Sequence, residues 1–149
     1  MEMVILIGIQ ATGKSTFFRQ KYADTHVHIN LDMLKTRHRE RRLIATCLEI
    51  QQSLVVDNTN PSRKDRAGYI AAAKEAGFSV RGFYFRSKAS EAIERNATRD
   101  GPKQVPEKGI LGTAGRLELP AKDEGFDELA YVTMDGTGGF EVKEWDDEV

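Results

Sequence analysis

Residues 8–16 read GIQATGKST and form the part of the sequence with the clearest chemical potential. They fit the pattern G-x-x-x-x-G-K-[ST] at every fixed position, between an apolar run and a predicted helix. In such a loop the backbone N–H groups bind phosphate oxygens, Lys14 reaches the β- and γ-phosphates, and the Ser15 hydroxyl is the expected Mg²⁺ ligand. The pattern therefore predicts a nucleoside triphosphate site formed by Gln10, Ala11, Thr12, Gly13, Lys14, Ser15 and Thr16.

A phosphate-binding loop of this kind serves GTPase switches, ATPase motors and kinases alike. The sequence has no N-K-x-D segment of the type that guanine-specific switches carry, and a motor usually needs a longer chain. A small kinase needs three further parts. These are a base for the acceptor hydroxyl, a positively charged side chain that contacts the transferred phosphoryl group, and a lid that excludes water. Each of these parts has a candidate in the sequence.

Asp32 is the candidate base. It follows a predicted strand at the start of a helix, so its carboxylate would face the phosphate-binding loop across the carboxyl edge of the sheet. There it could accept the proton of the acceptor hydroxyl as the phosphoryl group arrives. The same position also suits an aspartate that merely stabilises the helix dipole, and position alone does not separate these interpretations.

Arg95 and Arg99 are the candidates for the positively charged side chain that contacts the transferred phosphoryl group. They lie four residues apart on a predicted helix and therefore share one face. Arg99 stands where this helix gives way to a Gly-Pro loop, which predicts a lid at about residues 99–108, and its guanidinium can bridge phosphate oxygens. The alternative is a solvated basic helix face.

Asp57 ends an apolar run, Leu54–Asp57, and two interpretations of it remain open. An aspartate at the end of a buried strand can organise the Mg²⁺ of a phosphate-transferring enzyme. The residues that follow, Asn58-Thr59-Asn60, could instead make it part of the entry to a helix, because Asn and Asp favour turns and caps.

The elements that must position these residues alternate between strands and helices. Apolar and β-branched runs at 3–9, 25–29, 54–57, 78–85 and 129–134 predict five buried strands. The segment 31–51 is predicted to be helical with a break near His38, and Asn60-Pro61 is predicted to start another helix. Because strands alternate with helices, the sequence predicts a single α/β domain over residues 1–149. A five-stranded parallel sheet would lie between two helical layers, with a C-terminal hairpin at about 129–145.

Charge is distributed unevenly along the 149 residues, although the net charge is only −1. Residues 1–117 carry 20 Lys and Arg against 12 Asp and Glu, whereas residues 118–149 carry 2 against 11. A basic body fits a polyanionic partner, although mixed charges also simply solvate a surface. The single cysteine excludes a disulfide framework, and the absence of a long apolar stretch or a secretory signal predicts a soluble, cytoplasmic protein without membrane association.

Cys47 and the two histidines of the second strand are expected to be structural. Cys47 lies on the apolar face of a predicted helix, and free cysteine is among the most buried residue types. His26 and His28 share a strand face but have no plausible third ligand, which argues against a metal site.

Several motifs in their order along the chain resemble the 5′-kinase domain of polynucleotide kinases, both the phage type and the kinase half of the animal DNA-repair kinase-phosphatase. The resemblance spans roughly residues 1–132. The motifs are Gly8–Thr16, Asn30-Leu31-Asp32, Asp57-Asn58-Thr59-Asn60-Pro61, and Arg95-Asn96-x-x-Arg99 followed by Val105-Pro106. The resemblance implies a three-layer P-loop kinase fold with an adenylate-kinase-like core, ATP as the donor and Mg²⁺ as the cofactor.

The resemblance also implies roles for individual residues. Asp32 would be the general base for a 5′-hydroxyl, Arg99 would bind the phosphates of the donor, and Asp57 would lie near the acceptor. Lys35 stands at the position three residues after the base, where the family holds the acceptor phosphate with a basic side chain. The sequence departs from the family at Leu31, where an arginine is common, and it contains no phosphatase domain.

Residues 36–42 read TRHRERR and form the most basic run in the chain. Arg37 and its neighbours could neutralise acceptor phosphates, or the run could be a solvated surface. The sequence thus predicts an ATP-dependent kinase acting on the 5′-hydroxyl of DNA or RNA. The alternatives are a kinase for a small alcohol, such as a nucleoside, sugar or antibiotic, and an ATP-binding regulatory protein that is not a kinase.

Overall fold

A six-stranded sheet forms the centre of the protein in a computed structural model that describes residues 1–147. The strands are β1 (Glu2–Ile7), β2 (Val27–Ile29), β3 (Leu54–Asp57), β4 (Ser79–Phe85), β5 (Glu128–Met134) and β6 (Phe140–Glu144). The helices are α1 (Lys14–Lys21), α2 (Leu31–Leu34), α3 (Arg37–Glu49), α4 (Arg63–Glu75), α5 (Ala89–Asn96) and α6 (Glu107–Arg116). Short 3-10 turns occupy Gly101–Lys103 and Lys122–Glu124.

The strands lie in the order β2-β3-β1-β4-β5-β6, and the first five are parallel to their neighbours. β6 pairs antiparallel with β5 and extends the same sheet as a sixth strand. The predicted fold class, with five parallel strands and a C-terminal hairpin, is therefore confirmed. β1 lies inside the sheet, so the loop that follows it opens at the carboxyl edge, where ligands of such sheets bind.

The side chains of β1 alternate between the two faces of the sheet and divide the core between them. Residues 3, 5 and 7 pack with apolar side chains of α3 and α4, among them Cys47, which is buried as predicted. Residues 4 and 6 pack with Phe17 and Phe18 of α1 on the opposite face. Ile9 and Ala11, in the loop after β1, pack against α5 and α6. Helices on both faces therefore hold this loop in place.

The helix after β3 begins at Arg63, so the predicted start at Asn60-Pro61 is wrong. Ser62 is the N-cap, and its hydroxyl accepts a backbone N–H of the first turn. Asn60 is instead buried with a φ of 48°, a left-handed conformation that asparagine adopts more readily than most residues. Its amide donates to the Leu6 carbonyl oxygen at 2.8 Å. The side chain is therefore used to tie the end of β1 to the segment after β3.

The segment 31–51 is helical in two pieces, but the break lies at Lys35 and Thr36 rather than near His38. Lys35 ends α2 with a φ of 73°. The Thr36 side chain then accepts the backbone N–H of Arg39 as the N-cap of α3. α2 is consequently a single turn that directly follows β2.

None of the helices in residues 1–147 has the length and apolar character that crossing a membrane requires. The residues predicted as a lid, 99–108, form the connection from α5 to α6 and include the turn Gly101–Lys103. The function of that connection as a lid and the single-domain extent over residues 1–149 stay predictions.

Candidate active site

The loop between β1 and α1 runs directly into the N-terminus of α1, where backbone N–H groups and the helix dipole favour an anion. Gly13 is the N-cap of α1 and has a φ of 93°, in the left-handed region that favours glycine. A Cβ on Gly13 would lie 2.7 Å from the Met134 Cε and 2.8 Å from the Phe140 Cε1. The C-terminal hairpin is thus packed against the loop, and the glycine makes this close approach feasible.

Lys14 is buried under the loop, and its ammonium donates to the carbonyl oxygens of Gly8 at 2.8 Å and Ile9 at 2.7 Å. Burial lowers the pKa of Lys14 from 10.5 to about 8. The negative charges of Asp57 and Asp32 oppose this lowering of the pKa, and the positive charge of Arg99 adds to it. Four predicted site residues from separate elements are therefore close enough to influence one another electrostatically.

Asp57, at the end of β3, lies directly beside Ser15. The Ser15 hydroxyl donates to the Asp57 Oδ2 at 2.7 Å, and the His28 Nε2 lies 2.7 Å from the same oxygen. A hydroxyl and a carboxylate are the hard oxygen ligands that Mg²⁺ prefers, together with substrate phosphates. The pair therefore fits an Mg²⁺ ion bound by Ser15 and organised by Asp57, which favours the metal-organising interpretation of Asp57 over a helix entry.

Asp32 lies in the single turn of α2, and side-chain hydrogen bonds fix that turn against β3. The Asn30 amide donates to the Asp57 carbonyl oxygen at 2.8 Å, and the Asn30 Oδ1 accepts the Met33 N–H at 3.2 Å. The Leu31 N–H donates to the Asn58 Oδ1 at 3.0 Å. The exposed Asp32 side chain is thus presented at the same edge of the sheet as the phosphate-binding loop.

Lys35 and Arg37, the predicted acceptor-binding residues, flank the break between α2 and α3. Both are exposed, but the Arg37 Nη1 already donates to Glu40 Oε1 at 3.0 Å and to the Tyr69 hydroxyl at 3.0 Å. The Tyr69 hydroxyl in turn donates to Glu40 at 2.8 Å, and burial together with this carboxylate raises the pKa of Tyr69 to about 12. Arg37 is therefore held in place at the surface, beside the turn that carries Asp32.

Arg95 and Arg99 lie on the opposite side of the loop, at the end of α5 and beyond it. The Arg95 Nη1 donates to the Ala11 carbonyl oxygen at 2.8 Å, so Arg95 contacts the phosphate-binding loop. The Arg99 Nη1 donates to the Lys103 carbonyl oxygen at 3.2 Å, within the predicted lid. Arg95 thus contacts the phosphate-binding loop and Arg99 contacts the predicted lid, and a role for either arginine on nucleotide phosphates stays a prediction.

The remaining predicted loop residues mainly stabilise the loop itself. The Gln10 amide donates to the Thr113 hydroxyl of α6 at 3.0 Å, and the Thr12 hydroxyl donates to the Ile9 carbonyl oxygen at 2.9 Å. Thr16, in the first turn of α1, accepts a hydrogen bond from Arg19. The Gln10 contact therefore joins the loop to α6, the helix that follows the predicted lid.

Two residues of the site were not identified from the sequence as part of it. His28 was expected to be structural, yet it contacts Asp57. Glu40 is 3% exposed and joins Arg37 and Tyr69 to Asn58, whose amide donates to the Glu40 Oε2 at 2.9 Å. The spacing of three residues between Arg37 and Glu40 was the available signal for this pair, but the contact with Asn58 depends on the fold.

Residues 35–120 match the family profile described as an AAA domain, which is more than half of the 149 residues. The bifunctional polynucleotide phosphatase/kinase of Schizosaccharomyces pombe is 30% identical over 135 residues, which cover 88% of this chain and 33% of that protein. The chain thus spans about a third of the length of that relative. The resemblance to polynucleotide kinases that the motifs indicated is confirmed at the level of sequence similarity.

A second relative has a different acceptor in its name. The L-seryl-tRNA(Sec) kinase of Methanococcus maripaludis is 24% identical in an alignment that is 161 residues long with its gaps and covers 95% of this chain and 62% of that protein. Among solved structures, Chaetomium thermophilum Kti12 in complex with ADP-AlF3 has a TM-score of 0.71 at 17% identity and covers 89% of each chain. At that identity the likeness shows a shared fold.

Proposed function

This chain belongs to the AAA domain family, and because it is also similar to a polynucleotide phosphatase/kinase, we propose that it is an ATP-dependent kinase whose acceptor is the 5′-hydroxyl of a polynucleotide. The observation that carries the proposal is the contact between Ser15 and Asp57 at the loop that carries Lys14: the Ser15 hydroxyl donates to the Asp57 Oδ2 at 2.7 Å. The charges of Asp57, Asp32 and Arg99 also act on the pKa of Lys14, which supports their proximity. A phosphate-binding lysine, a carboxylate beside it and an arginine on the far side are the groups that phosphoryl transfer needs.

Binding of a triphosphate requires a rearrangement of Lys14. Its ammonium donates to the carbonyl oxygens of Gly8 and Ile9, and it must turn from them to reach phosphate oxygens. The loop N–H groups and the N-terminus of α1 would bind the same phosphates. Ser15 and Asp57 would hold Mg²⁺, which supplies positive charge to the β- and γ-phosphate oxygens when it is bound.

Asp32 is proposed as the base in the transfer step. The acceptor oxygen attacks the γ-phosphorus, its proton passes to the Asp32 carboxylate, and the bond from the γ-phosphorus to the bridging oxygen breaks to release ADP. The hydrogen bonds of Asn30 and Leu31 to the end of β3 support this role, since they hold α2 beside the loop. An exposed carboxylate at that edge is accessible to an acceptor as large as a polynucleotide end.

We propose that residues 99–108 close over the bound nucleotide as a lid, with Arg99 on its phosphates. The contacts of Arg95 with Ala11 and of Gln10 with Thr113 support this, because they connect both helices that flank the segment to the phosphate-binding loop. Closure excludes water, which would otherwise compete with the acceptor hydroxyl. ATP as the donor and the cytoplasmic location stay predictions.

The choice of a polynucleotide rests on the similarity to the polynucleotide phosphatase/kinase and on the basic residues beside Asp32. Lys35 and Arg37 lie within five residues of the proposed base and are exposed, so an acceptor phosphate next to the reacting hydroxyl can reach them. A second candidate acceptor is a hydroxyl carried by a tRNA, because the seryl-tRNA kinase covers nearly the whole of this chain.

The proposal is tested by label transfer from γ-labelled ATP. We expect labelling of oligonucleotides that end in a 5′-hydroxyl, and none of matched oligonucleotides that already end in a 5′-phosphate. Nucleosides, a panel of small alcohols and seryl-tRNA are assayed in parallel. Labelling confined to the small alcohols, or to seryl-tRNA, would contradict a polynucleotide 5′-hydroxyl as the acceptor.

The role of Asp32 is tested by the Asp32→Asn variant. We expect the transfer rate to fall by about 10²–10⁴-fold, the usual contribution of a positioned base, while the affinity for ATP stays close to that of the parent protein. Asp24→Asn, which changes an exposed carboxylate between α1 and β2, is the matched control. Loss of ATP binding in Asp32→Asn would count against the base assignment.

A further inference from the structure

His28 makes a contact that the proposed mechanism has not used. Its Nε2 lies 2.7 Å from the Asp57 Oδ2, and the Ser15 hydroxyl donates to the same oxygen at 2.7 Å. Asp57 is 2% exposed, so this carboxylate is shielded from water that could otherwise satisfy it. An ionised carboxylate oxygen only accepts hydrogen bonds, so the imidazole Nε2 must be the donor in this contact.

The His28 ring is also fixed from a second side. It stacks on the Phe18 ring with a centroid separation of 3.9 Å and an interplanar angle of 12°. Phe18 and Ser15 are three residues apart on α1 and therefore lie on neighbouring turns of one helix. α1 thus supplies both the hydroxyl that contacts Asp57 and the aromatic surface that orients the imidazole.

The orientation of the Ser15 hydroxyl decides whether it can act as a metal ligand. A hydroxyl offers a lone pair to a cation only when its proton is directed elsewhere, and here the proton is directed to the Asp57 Oδ2. A carboxylate held by a single donor can rotate about its terminal bond, because that torsion has a broad energy minimum. A second donor on the same oxygen restricts this rotation.

We propose that His28 is a positioning residue that holds the Asp57 carboxylate where it keeps the Ser15 lone pair directed towards a divalent cation. The inference rests on the proposed function, because it assigns Ser15 to that cation. His28 acts through Asp57 and touches neither the nucleotide nor the acceptor. Groups that orient metal-binding side chains in this way commonly contribute 10- to 100-fold to metal affinity.

His26 offers a matched control on the same face of the same segment. Its Nε2 lies 2.8 Å from the Glu2 Oε2, and its Nδ1 lies 2.7 Å from the Thr25 hydroxyl oxygen. His26 thus pairs with a carboxylate as His28 does, but it lies immediately before β2, and its partner Glu2 is at the far end of β1 from the loop. Loss of a histidine–carboxylate contact at His26 should leave cation binding unchanged.

The test measures ADP affinity by calorimetry, once in EDTA and once with Mg²⁺. His28→Phe removes the donor and keeps an aromatic ring on Phe18, whereas His28→Gln keeps an N–H donor. We expect His28→Phe to match the parent protein in EDTA but to lose about 10-fold of the affinity that Mg²⁺ adds. His28→Gln should recover most of that loss, and His26→Phe should bind as the parent does.

Nitrogen-15 spectroscopy of the imidazole gives a readout that does not depend on activity. In the nucleotide-free protein we expect the His28 Nε2 to carry a proton, and an unprotonated Nε2 would overturn the proposal.

Three outcomes of the calorimetry would also overturn it. These are an equal loss of ADP affinity in EDTA and in Mg²⁺, equal effects of His28→Phe and His26→Phe, and a parent protein whose ADP affinity does not increase with Mg²⁺. Should His28→Phe fail to fold, His28→Gln must retain the Mg²⁺-dependent gain. These measurements need no acceptor, so a failure of the proposed transfer reaction is distinguishable from a failure of this inference.

Discussion

The donor side and the acceptor side of the site are built in different ways. On the donor side, Thr12 and Lys14 are buried, and the loop between β1 and α1 is held by its own hydrogen bonds and by α5 and α6. On the acceptor side, Asp32 and Lys35 are exposed on a single helical turn and the break that follows it. Under the proposed function, phosphates would be recognised mainly by backbone geometry, whereas the acceptor would be recognised by exposed side chains.

This difference explains why the donor is easier to infer than the acceptor. Any nucleoside triphosphate presents the same phosphates, so the loop that binds them has a constrained sequence and a constrained shape. The hydroxyl acceptors of related enzymes differ in size and charge, and exposed side chains can change without disturbing the fold. The two relatives, with a polynucleotide and a seryl-tRNA in their names, illustrate this freedom.

Replacement of Lys14 is the largest expected effect on the donor side. Lys14→Met removes the ammonium that would bind the phosphates, and we expect the affinity for ADP to fall by about 100-fold, since a lost charged hydrogen-bond donor costs about 1.5–3 kcal/mol. We expect only a small loss of thermal stability, because Lys14→Met removes the hydrogen bonds to the Gly8 and Ile9 carbonyl oxygens but also removes a buried ammonium whose pKa burial lowers to about 8. Calorimetric titration and thermal unfolding of the same variant measure both effects.

Lys21→Met, at the exposed end of α1, is the control for Lys14→Met. It should bind ADP as the parent protein does. If Lys14→Met unfolds at a much lower temperature than the parent while binding ADP normally, the lysine supports the loop rather than the phosphates, and the contrast between the two sides of the site is wrong.

Replacement of the basic residues beside Asp32 is the intermediate effect and belongs to the acceptor side. We expect Arg37→Ala combined with Arg39→Ala to raise the KM for a 5′-hydroxyl oligonucleotide by about 10-fold. The slope of log KM against the logarithm of the salt concentration should become smaller by about one to two, which corresponds to one or two counterions fewer released on binding. The KM for ATP should stay unchanged, because the hydrogen bonds of the two arginine side chains are with Leu34, Glu40 and Tyr69 rather than with the phosphate-binding loop. Initial rates at several salt concentrations measure this.

Lys143→Ala, in β6 at the opposite edge of the sheet from β2, is the control for the arginine variant. It removes an exposed positive charge where an acceptor is not expected. An equal change in salt dependence for Lys143→Ala would show that the effect arises from net charge, and a parent-like arginine variant would identify residues 36–42 as a solvated surface.

The donor side could be predicted from sequence because its residues are close together in the chain. Gly8 to Thr16 form one uninterrupted motif. The apolar runs before and after it were sufficient to predict the parallel strands of the sheet. Asp32 and Asp57 could be placed at the same edge because Asp57 ends β3 and Asp32 lies three residues after the end of β2. Local patterns and the general geometry of parallel sheets are sufficient for these residues.

The parts that were missed depend on contacts between distant segments. Asn60 has the sequence context of a helix cap, yet its amide bonds the Leu6 carbonyl, 54 residues away, and the helix starts at Arg63. His28 was expected to be structural because His26 and His28 have no plausible third metal ligand, and its actual partner, Asp57, lies 29 residues further along the chain. A strand pattern shows which face a side chain occupies, but it does not show which carboxylate meets it there.

The smallest expected effect is the pH dependence of ADP binding, and it tests the burial of Lys14 directly. With a pKa of about 8, Lys14 loses its charge as the pH rises through 8, while the unfolded chain keeps it up to about 10.5. Between these values the unfolded chain binds more protons, so Lys14 makes the nucleotide-free fold more stable as the pH rises. Bound phosphates reverse this preference, because they favour the charged form of the lysine.

ADP binding in EDTA should therefore take up a proton near pH 8 and weaken as the pH rises. Between pH 7.5 and 8.5 the charged fraction of a group with this pKa falls by about 3-fold, and the affinity should fall by the same factor. Calorimetry in two buffers with different ionisation enthalpies measures the proton uptake. Lys14→Arg, which keeps its charge over this range, should bind with an affinity independent of pH. If the parent protein is equally insensitive, Lys14 is fully charged in the free loop, and the donor side is more hydrated than its burial indicates.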